Sequence, residues 1–374
     1  MQKKVHILIL SSWYPSQKKP FLGNFVQRQA KLLASRYKVT VLHTNVNNSA
    51  KNIEINKTQD AAFTELMVQH PKGNWFLARR QNQKKAFNQG LKTIKDVDII
   101  IGNVLLPRGH QFVAAVKKLN CPLLYIEHGS YFGKSLGRSW SKIDRFILKM
   151  VRDRTNEVIA VSQVLKDNMK TDFEHFDIKI IGNHVAAALF QPIPKEIHPV
   201  TEFLHVSTMD ERTKNPEGIL DACVLLKKNE SKFLITIISD EDVSKWKTLA
   251  TKKGLSENIR FIGPLEWREL VPYYQKADAL VVFSHYESFS IVIAEAWMTG
   301  TPVISTSVGI AHNMDASMGI LVEKNVPKSL SQAMLSVINK ERSFDQNEII
   351  RHAAQFGGDA ILEKWSETIE QHVG

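Results

Sequence analysis

Short apolar segments rich in β-branched residues alternate with segments of helical periodicity along most of the chain. Apolar runs of this kind are typical of strands buried on both faces of a parallel sheet. The strands predicted in the first half are 5–10, 38–43, 97–102, 122–127 and 157–161, with helices at 25–35, 109–118 and 164–171. This order predicts an α/β domain whose parallel sheet is covered by helices.

The alternation breaks at residues 181–199, where prolines and a Gly-Asn turn interrupt the pattern. It then resumes with predicted strands at 201–206, 233–238, 259–263, 279–283 and 302–305, and ends in a helix at 360–372. A chain of 374 residues is longer than one core usually supports. We therefore predict two domains, residues 1–185 and 186–359, with a C-terminal helix at about 360–374 that packs back on the first domain.

Composition describes an ordinary globular protein with an excess of basic residues. Hydrophobic residues make up 43% of the chain, and the formal net charge is +11. The apolar run at residues 5–10 is too short for a secretory signal, and no run approaches the roughly 18 residues that span a bilayer. These features predict a cytoplasmic protein. Basic residues concentrate at 79–95 and 140–152, which indicates either a solvated helix face or a contact with the inner face of an anionic membrane.

Two carboxylates, Glu287 and Glu295, lie eight residues apart around a predicted junction of strand and helix. The apolar run 279–283 precedes them as a buried strand, and Ser288 or Ser290 can cap the helix that follows. In open α/β sheets, ligands bind in loops at the carboxyl ends of the strands. The spacing therefore predicts a ligand site at this junction.

The segment from Glu287 to Glu295, followed by Gly-Thr-Pro-Val-Ile, resembles the E-x7-E signature of family 4 retaining glycosyltransferases. Five further segments resemble landmarks of this family in the family's order: residues 12–15 with 20–25, 125–130, 161–163, 182–185 with 190–192, and 213–215. The resemblance covers nearly the whole chain. It implies the α/β GT-B fold, in which two Rossmann-like domains face each other across a central cleft, the first binding the acceptor and the second the nucleotide-sugar donor.

The resemblance also implies roles for single residues on both substrates. Glycosyl transfer builds positive charge on the sugar and negative charge on the leaving diphosphate, and both need preorganised partners. Glu287 and His128 are the implied catalytic residues, placed at the donor sugar. Glu295 would accept hydrogen bonds from the ribose hydroxyls, and Gly23 would let the first loop approach the substrates closely.

The diphosphate is held without a metal ion in enzymes that this chain resembles. Lys214 would supply positive charge, and a helix N-terminus would supply backbone N–H donors. The backbone donors belong to Ser288, Phe289, Ser290 and Ile291. The family's usual Gly-Arg pair is replaced here by Ser207 and Thr208. Arg212 is the candidate for the phosphate cation missing there.

Three other classes of function compete with this interpretation. A glycosidase needs two carboxylates facing each other across a scissile bond, which the helical position of Glu295 disfavours. A nucleic-acid-binding protein would explain the charge, but no recognised nucleic-acid motif is present. A catalytically inactive nucleotide-sugar-binding or partner-binding module on the same fold remains the alternative.

The sequence thus predicts a metal-independent glycosyltransferase. Its donor would be a UDP- or GDP-sugar. Its acceptor would be a hydroxyl of a glycan or lipid-linked saccharide in cell-surface polysaccharide synthesis. No cofactor and no nucleic-acid partner are expected.

Overall fold

Two parallel sheets, each flanked by helices, form the molecule. The structure is a computed structural model that describes residues 4–17, 19–59, 62–133, 139–195, 199–230 and 232–373. The strands of both sheets run parallel to their neighbours except at one edge of the first sheet, where one pair is antiparallel. Most central strands are buried along their whole length, as expected where helices cover both faces of a sheet.

The first sheet has eight strands among the described residues, in the order β3-β4-β2-β1-β5-β6-β7-β8. Its strands are β1 His6–Ser11, β2 Lys38–Val46, β3 Glu54–Gln59, β4 Thr64–His70, β5 Ile99–Asn103, β6 Leu123–Glu127, β7 Glu157–Ala160 and β8 Lys179–Ile180. The helices between them are α1 Asn24–Ala34, α2 Phe76–Lys92, α3 Gly109–Leu119, α4 Lys142–Arg152 and α5 Gln163–Met169.

The second sheet has six strands in the described ranges, in the order β11-β10-β9-β12-β13-β14. These are β9 Thr201–Val206, β10 Phe233–Ile238, β11 Ile259–Ile262, β12 Ala279–Val282, β13 Val303–Thr306 and β14 Gly319–Val322. The accompanying helices are α6 Glu211–Lys214, α7 Pro216–Lys227, α8 Ser244–Lys252, α9 Trp267–Lys276, α10 Ile291–Met298, α11 Pro327–Ile338, α12 Gln346–Ala353 and α13 Gly358–Glu370.

The change from one sheet to the other falls between β8 and β9, in the segment predicted as the linker. Residues 196–198 of that segment lie outside the described residues. Val185 forms an isolated bridge with Gly357, just before α13 begins. The last helix then packs on α1, so the chain returns to its first domain.

The sequence analysis predicted no strand between residues 43 and 97, but this segment contains β3 and β4. All of β3 is exposed and its sequence, Glu-Ile-Asn-Lys-Thr-Gln, shows little apolar alternation. An edge strand with no buried face lacks the pattern by which strands are recognised.

Within the described residues, no helix is both long and apolar enough to cross a membrane.

Candidate active site

The loop that follows β12 holds Glu287 against a lysine from the neighbouring strand's loop. Glu287 Oε1 lies 2.6 Å from Lys214 Nζ and accepts a second hydrogen bond, of 2.8 Å, from the hydroxyl of Ser284. The backbone N–H of His285 donates to the carbonyl of Thr213 at 2.8 Å, which ties α6 to this loop. The two residues predicted separately, Lys214 and Glu287, are thus one charge pair at the carboxyl edge of the second sheet.

A buried histidine lies close to this pair. His205 Nδ1 donates to the carbonyl of Val281 at 2.8 Å, and its Nε2 lies 2.7 Å from the hydroxyl of Ser207. Burial, together with the positive charge of Lys214, lowers the pKa of His205 to about 4, so the ring is neutral at physiological pH. Ser207, one of the two residues that replace the family's Gly-Arg pair, therefore has a fixed hydrogen-bonding role.

The N-terminus of α10 presents backbone donors beside Glu287. None of the N–H groups of residues 288–292 donates to an acceptor in the described part of the chain. Ser290 occupies the N-cap position with φ of 69°, but its hydroxyl does not cap the helix. Ser290, one of the two predicted candidates, is thus the N-cap residue, but no side-chain capping hydrogen bond forms. The hydroxyl of Ser288 donates to His128 instead, and that of Ser290 has no partner among the described residues. Unpaired N–H groups at a helix start bind anions well.

Ser288 connects the two domains. Its hydroxyl donates to the carbonyl of His128 at 2.6 Å, and its own carbonyl accepts a hydrogen bond from the hydroxyl of Ser162. Phe289 is buried, and its carbonyl accepts from the N–H of Ile310 at 2.9 Å. Residues of both domains therefore position the loop between Glu287 and α10.

His128 follows β6 and is held on two sides. Its Nε2 donates to Asn103 Oδ1 at 2.9 Å, and its ring stacks on Phe25 with a centroid distance of 4.3 Å. Burial lowers the pKa of His128 to about 3, with the side chain of Asn183 acting in the opposite direction. The imidazole is therefore a neutral hydrogen-bonding group rather than a cation.

The loop that carries His128 is fixed by a buried carboxylate. Glu127 accepts backbone hydrogen bonds from His128, Gly129 and Leu105, and a further one from the hydroxyl of Tyr125. Burial raises the pKa of Glu127, and these four donors oppose that shift. The sequence analysis gave no role to Glu127 or Asn103; their signal is a polar residue at the carboxyl end of an apolar strand.

Glu295 is almost completely buried and both of its oxygens already accept hydrogen bonds. Oε1 lies 2.9 Å from Arg28 Nη1, and Oε2 accepts from the hydroxyl of Tyr274 at 2.9 Å. Arg28 belongs to α1 of the first domain and its guanidinium also lies 4.6 Å from the ring centre of Trp267. Glu295 is therefore part of a salt bridge between the domains, a partner that the sequence did not reveal.

Gly23 begins α1 with φ of 72°, and a Cβ atom there would lie 2.4 Å from the carbonyl oxygen of Trp13. This contact places the start of α1 directly against the loop after β1. Arg212 is exposed on α6, and among the described residues no hydrogen bond or salt bridge joins it to the Lys214–Glu287 pair. Among the described residues, no group of three or more His, Cys, Asp or Glu side chains could hold a metal ion.

Comparison with known proteins identifies the family. Residues 22–188 match the family described as Glycosyltransferase Family 4, and residues 194–356 match the family described as Glycosyl transferases group 1. Together these matches cover most of both domains. The chain belongs to glycosyltransferase family 4.

Solved structures of low sequence identity share the fold of this family 4 glycosyltransferase. Sucrose-phosphate synthase from Thermosynechococcus elongatus superposes with a TM-score of 0.78 and 16% identity, covering 98% of this chain and 99% of the other. Anabaena Alr3699/HepE in complex with UDP-glucose gives a TM-score of 0.74 and 17% identity, covering 98% and 99%. The predicted GT-B fold is confirmed.

Curated relatives of the glycosyltransferase align over shorter regions. The D-inositol 3-phosphate glycosyltransferase of Corynebacterium diphtheriae is 30% identical over 166 residues, which are 41% of this chain and 39% of the relative. That of Thermomonospora curvata is 32% identical over 123 residues, or 32% of this chain and 28% of the relative. The alignments thus span about two fifths or less of these relatives.

Proposed function

We propose that this glycosyltransferase moves a sugar, with retention of anomeric configuration, from a UDP- or GDP-sugar to a hydroxyl of a glycan or lipid-linked saccharide. The setting would be cell-surface polysaccharide synthesis in the cytoplasm. The observation that carries the proposal is the Lys214–Glu287 pair beside the unpaired N–H groups of α10. A cation and a helix start at one sheet edge suit a diphosphate.

In the proposed reaction, the bond between the anomeric carbon and the diphosphate oxygen breaks. The acceptor hydroxyl oxygen forms the new bond to that carbon, and its proton passes to the leaving diphosphate. Lys214 has three N–H donors, of which Glu287 uses one, so the others remain for phosphate oxygens. Glu287 would balance the positive charge that develops on the sugar. The N–H groups of residues 288–291 would stabilise the negative charge on the leaving group.

The first domain would complete the site through His128. The neutral ring donates through Nε2 to Asn103, and the His128 carbonyl is joined to Ser288 in the donor domain. This arrangement brings the two predicted catalytic residues to the same interdomain region. His128 would position the donor sugar and the acceptor by hydrogen bonding, since its low pKa keeps it uncharged.

The proposed contact of Glu295 with the donor ribose requires that its carboxylate accept a further hydrogen bond or exchange an existing one. Both carboxylate oxygens carry one hydrogen bond each, and Arg28 occupies the side facing the first domain. A carboxylate oxygen has two lone pairs, so a ribose hydroxyl can add to Oε1 or replace Arg28 there. Donor binding is thereby linked to a contact between the domains. Arg212 would support the phosphates only after its exposed side chain turns toward Lys214.

Turnover separates this proposal from an inactive binding module. We expect release of nucleoside diphosphate from the UDP- or GDP-sugar by the wild-type protein. Glu287→Gln should lower kcat by about 10²- to 10³-fold, as for the loss of one preorganised transition-state partner. Nucleotide binding without release of product in the wild type would favour the inactive module instead.

A membrane contact is proposed for α4. Its inner face packs through Ile147, Leu148 and Val151, yet Ile143 and Phe146 are 52% and 63% exposed. Basic side chains on the same helix, Lys142, Arg145 and Lys149, are exposed beside them. Apolar side chains flanked by cations suit the interface of an anionic bilayer, where a lipid-linked acceptor would be found. Flotation with anionic vesicles tests this contact.

A further inference from the structure

A partly buried guanidinium in the first domain lacks a counter-ion. Arg108 lies between β5 and α3, where Nη1 is 2.7 Å from His43 Nε2 and 3.4 Å from the carbonyl oxygen of Ser12. Its Nε is buried without a hydrogen-bond partner in the described ranges. No carboxylate of the described residues lies within salt-bridge distance of it. A charge buried in this way is costly unless an anion joins it.

The surrounding groups are hydrogen-bond donors and cations rather than acids. His43 donates through Nδ1 to the carbonyl of Ser11 and accepts from Arg108, so the ring is neutral. Burial and the charge of Arg108 lower its pKa well below the usual value. Desolvation, more than the charges of Arg80 and Arg108, lowers the pKa of His110 in the first turn of α3. Glu65 is linked to this region through Tyr14, whose ring packs on His43, and its carboxylate already accepts hydrogen bonds from Tyr14 and Gln27.

The location of Arg108 connects it with the proposed transfer centre. Its backbone N–H donates to the hydroxyl of Ser12 at 2.9 Å, in the loop that Gly23 contacts. His43 on β2 and His128 after β6 are separated by β1 and β5. At about 4.8 Å per strand, these two histidines stand about 14 Å apart along the sheet edge. An anion at Arg108 would therefore lie about 14 Å from His128 along this edge of the sheet.

We propose that Arg108, with His43 beside it, binds a phosphoryl group of the acceptor. This assignment rests on the proposed function, because it takes the first domain as the acceptor domain. The acceptor is then a phosphorylated sugar or a phosphate-linked lipid, and not a neutral glycan. A guanidinium pairs strongly with phosphate through parallel N–H donors.

The test is a titration of inorganic phosphate into the protein at constant ionic strength. The donor site is first filled with UDP or GDP, whichever of the two binds. Arg108→Gln should weaken phosphate binding by about tenfold or more, the usual effect of removing a hydrogen bond to a charged group. Arg108→Lys should restore part of the affinity. The matched control is Arg260→Gln, an exposed arginine on β11 that removes the same charge from the other domain.

Nucleoside-diphosphate binding by each variant reports whether the donor domain is folded and whether the proposed function stands. If nucleotide binding is unchanged and Arg108→Gln binds phosphate as tightly as the wild type, this inference alone is overturned. Displacement of phosphate by glucose 6-phosphate, and not by glucose, would support it with a soluble source. Displacement by phosphatidic acid vesicles alone would support it with a lipid source, and displacement by neither would contradict it.

Discussion

At the scale of single residues, the two arginine–glutamate pairs near α1 differ in burial and should differ in energy. Glu295 is 2% exposed where it meets Arg28, whereas the Arg36–Glu363 pair is 40% and 60% exposed. Removing one member of a buried pair leaves a charge without compensation, but exposed pairs contribute little. Arg28 therefore contributes more to stability than Arg36.

We expect Arg28→Ala to lower the free energy of unfolding by about 2–4 kcal/mol, and Arg36→Ala to lower it far less. Urea denaturation followed by circular dichroism measures both. Equal losses for the two variants would mean that water or Tyr274 compensates Glu295 fully when Arg28 is absent.

Gly23 provides a second comparison at this scale, because the chain contains a glycine of matching conformation. Gly23 and Gly254 have φ of 72° and 71°, but a Cβ at Gly254 would meet no atom within 4 Å. Gly254→Ala should cost about 1 kcal/mol from backbone strain alone. Gly23→Ala should cost at least about 1 kcal/mol more, because its Cβ overlaps the Trp13 carbonyl. Thermal and urea unfolding of both variants would show this difference, and its absence would contradict the close approach.

At the scale of elements, α4 carries the prediction about membranes. Phe146→Glu and Ile143→Glu should each lower the fraction of protein bound to anionic vesicles by about tenfold, given roughly 1.5 kcal/mol or more for transferring an exposed apolar side chain. Leu321→Glu on β14 is the matched control, since Leu321 is 45% exposed in the other domain. An equal loss for Leu321→Glu would indicate a general charge effect and contradict a specific role of α4.

Elements with an apolar pattern were predictable, and those without one were not. The strand from Phe233 to Ile238 was predicted with the observed bounds because both of its faces are buried. The exposed edge strand β3 was missed because it is stabilised by pairing with β4, and its own side chains show no pattern that reveals this pairing. The same limit applies to the site: Glu287 and Lys214 were predicted as separate residues, but their pairing depends on how β9 and β12 lie side by side.

Contacts between the domains could not be predicted from the sequence for the same reason. Arg28 reaches Glu295 across 267 residues of chain, and Ser288 reaches the carbonyl of His128 across 160. Local spacing predicts that a lone carboxylate among Ile293, Ala294 and Ala296 needs a partner. It cannot say which element provides that partner, because the choice depends on the packing of one domain against the other.

At the scale of the whole molecule, buried neutral histidines make stability depend on pH. Burial lowers the pKa of His128 to about 3 and of His205 to about 4, and lowers that of His43 well below its usual value. Unfolding restores values near 6.5, so the unfolded state binds more protons below that pH. The stability that these groups give is present above pH 6.5 and is lost as the pH falls toward 4.

Each such histidine should reduce the free energy of unfolding by about 1.4 kcal/mol per pH unit in this window. Urea unfolding at pH 7, 6 and 5 measures the slope, and His205→Asn should make it shallower. A slope that is the same in His205→Asn and the wild type would contradict a neutral, buried His205.

The most direct test of the donor site is calorimetric titration of UDP and GDP into the wild type, Lys214→Ala and Lys253→Ala at fixed salt. Lys253 is a matched control, because it forms a salt bridge of the same 2.6 Å length with Asp221 and is 25% exposed, close to the 20% of Lys214. Fixed salt matters because a protein of charge +11 attracts any anion. We predict selective binding of one diphosphate, weakened about tenfold or more by Lys214→Ala and unchanged by Lys253→Ala. Equal affinities in all three proteins would contradict the site, because the basic surface as a whole would then bind the nucleotide.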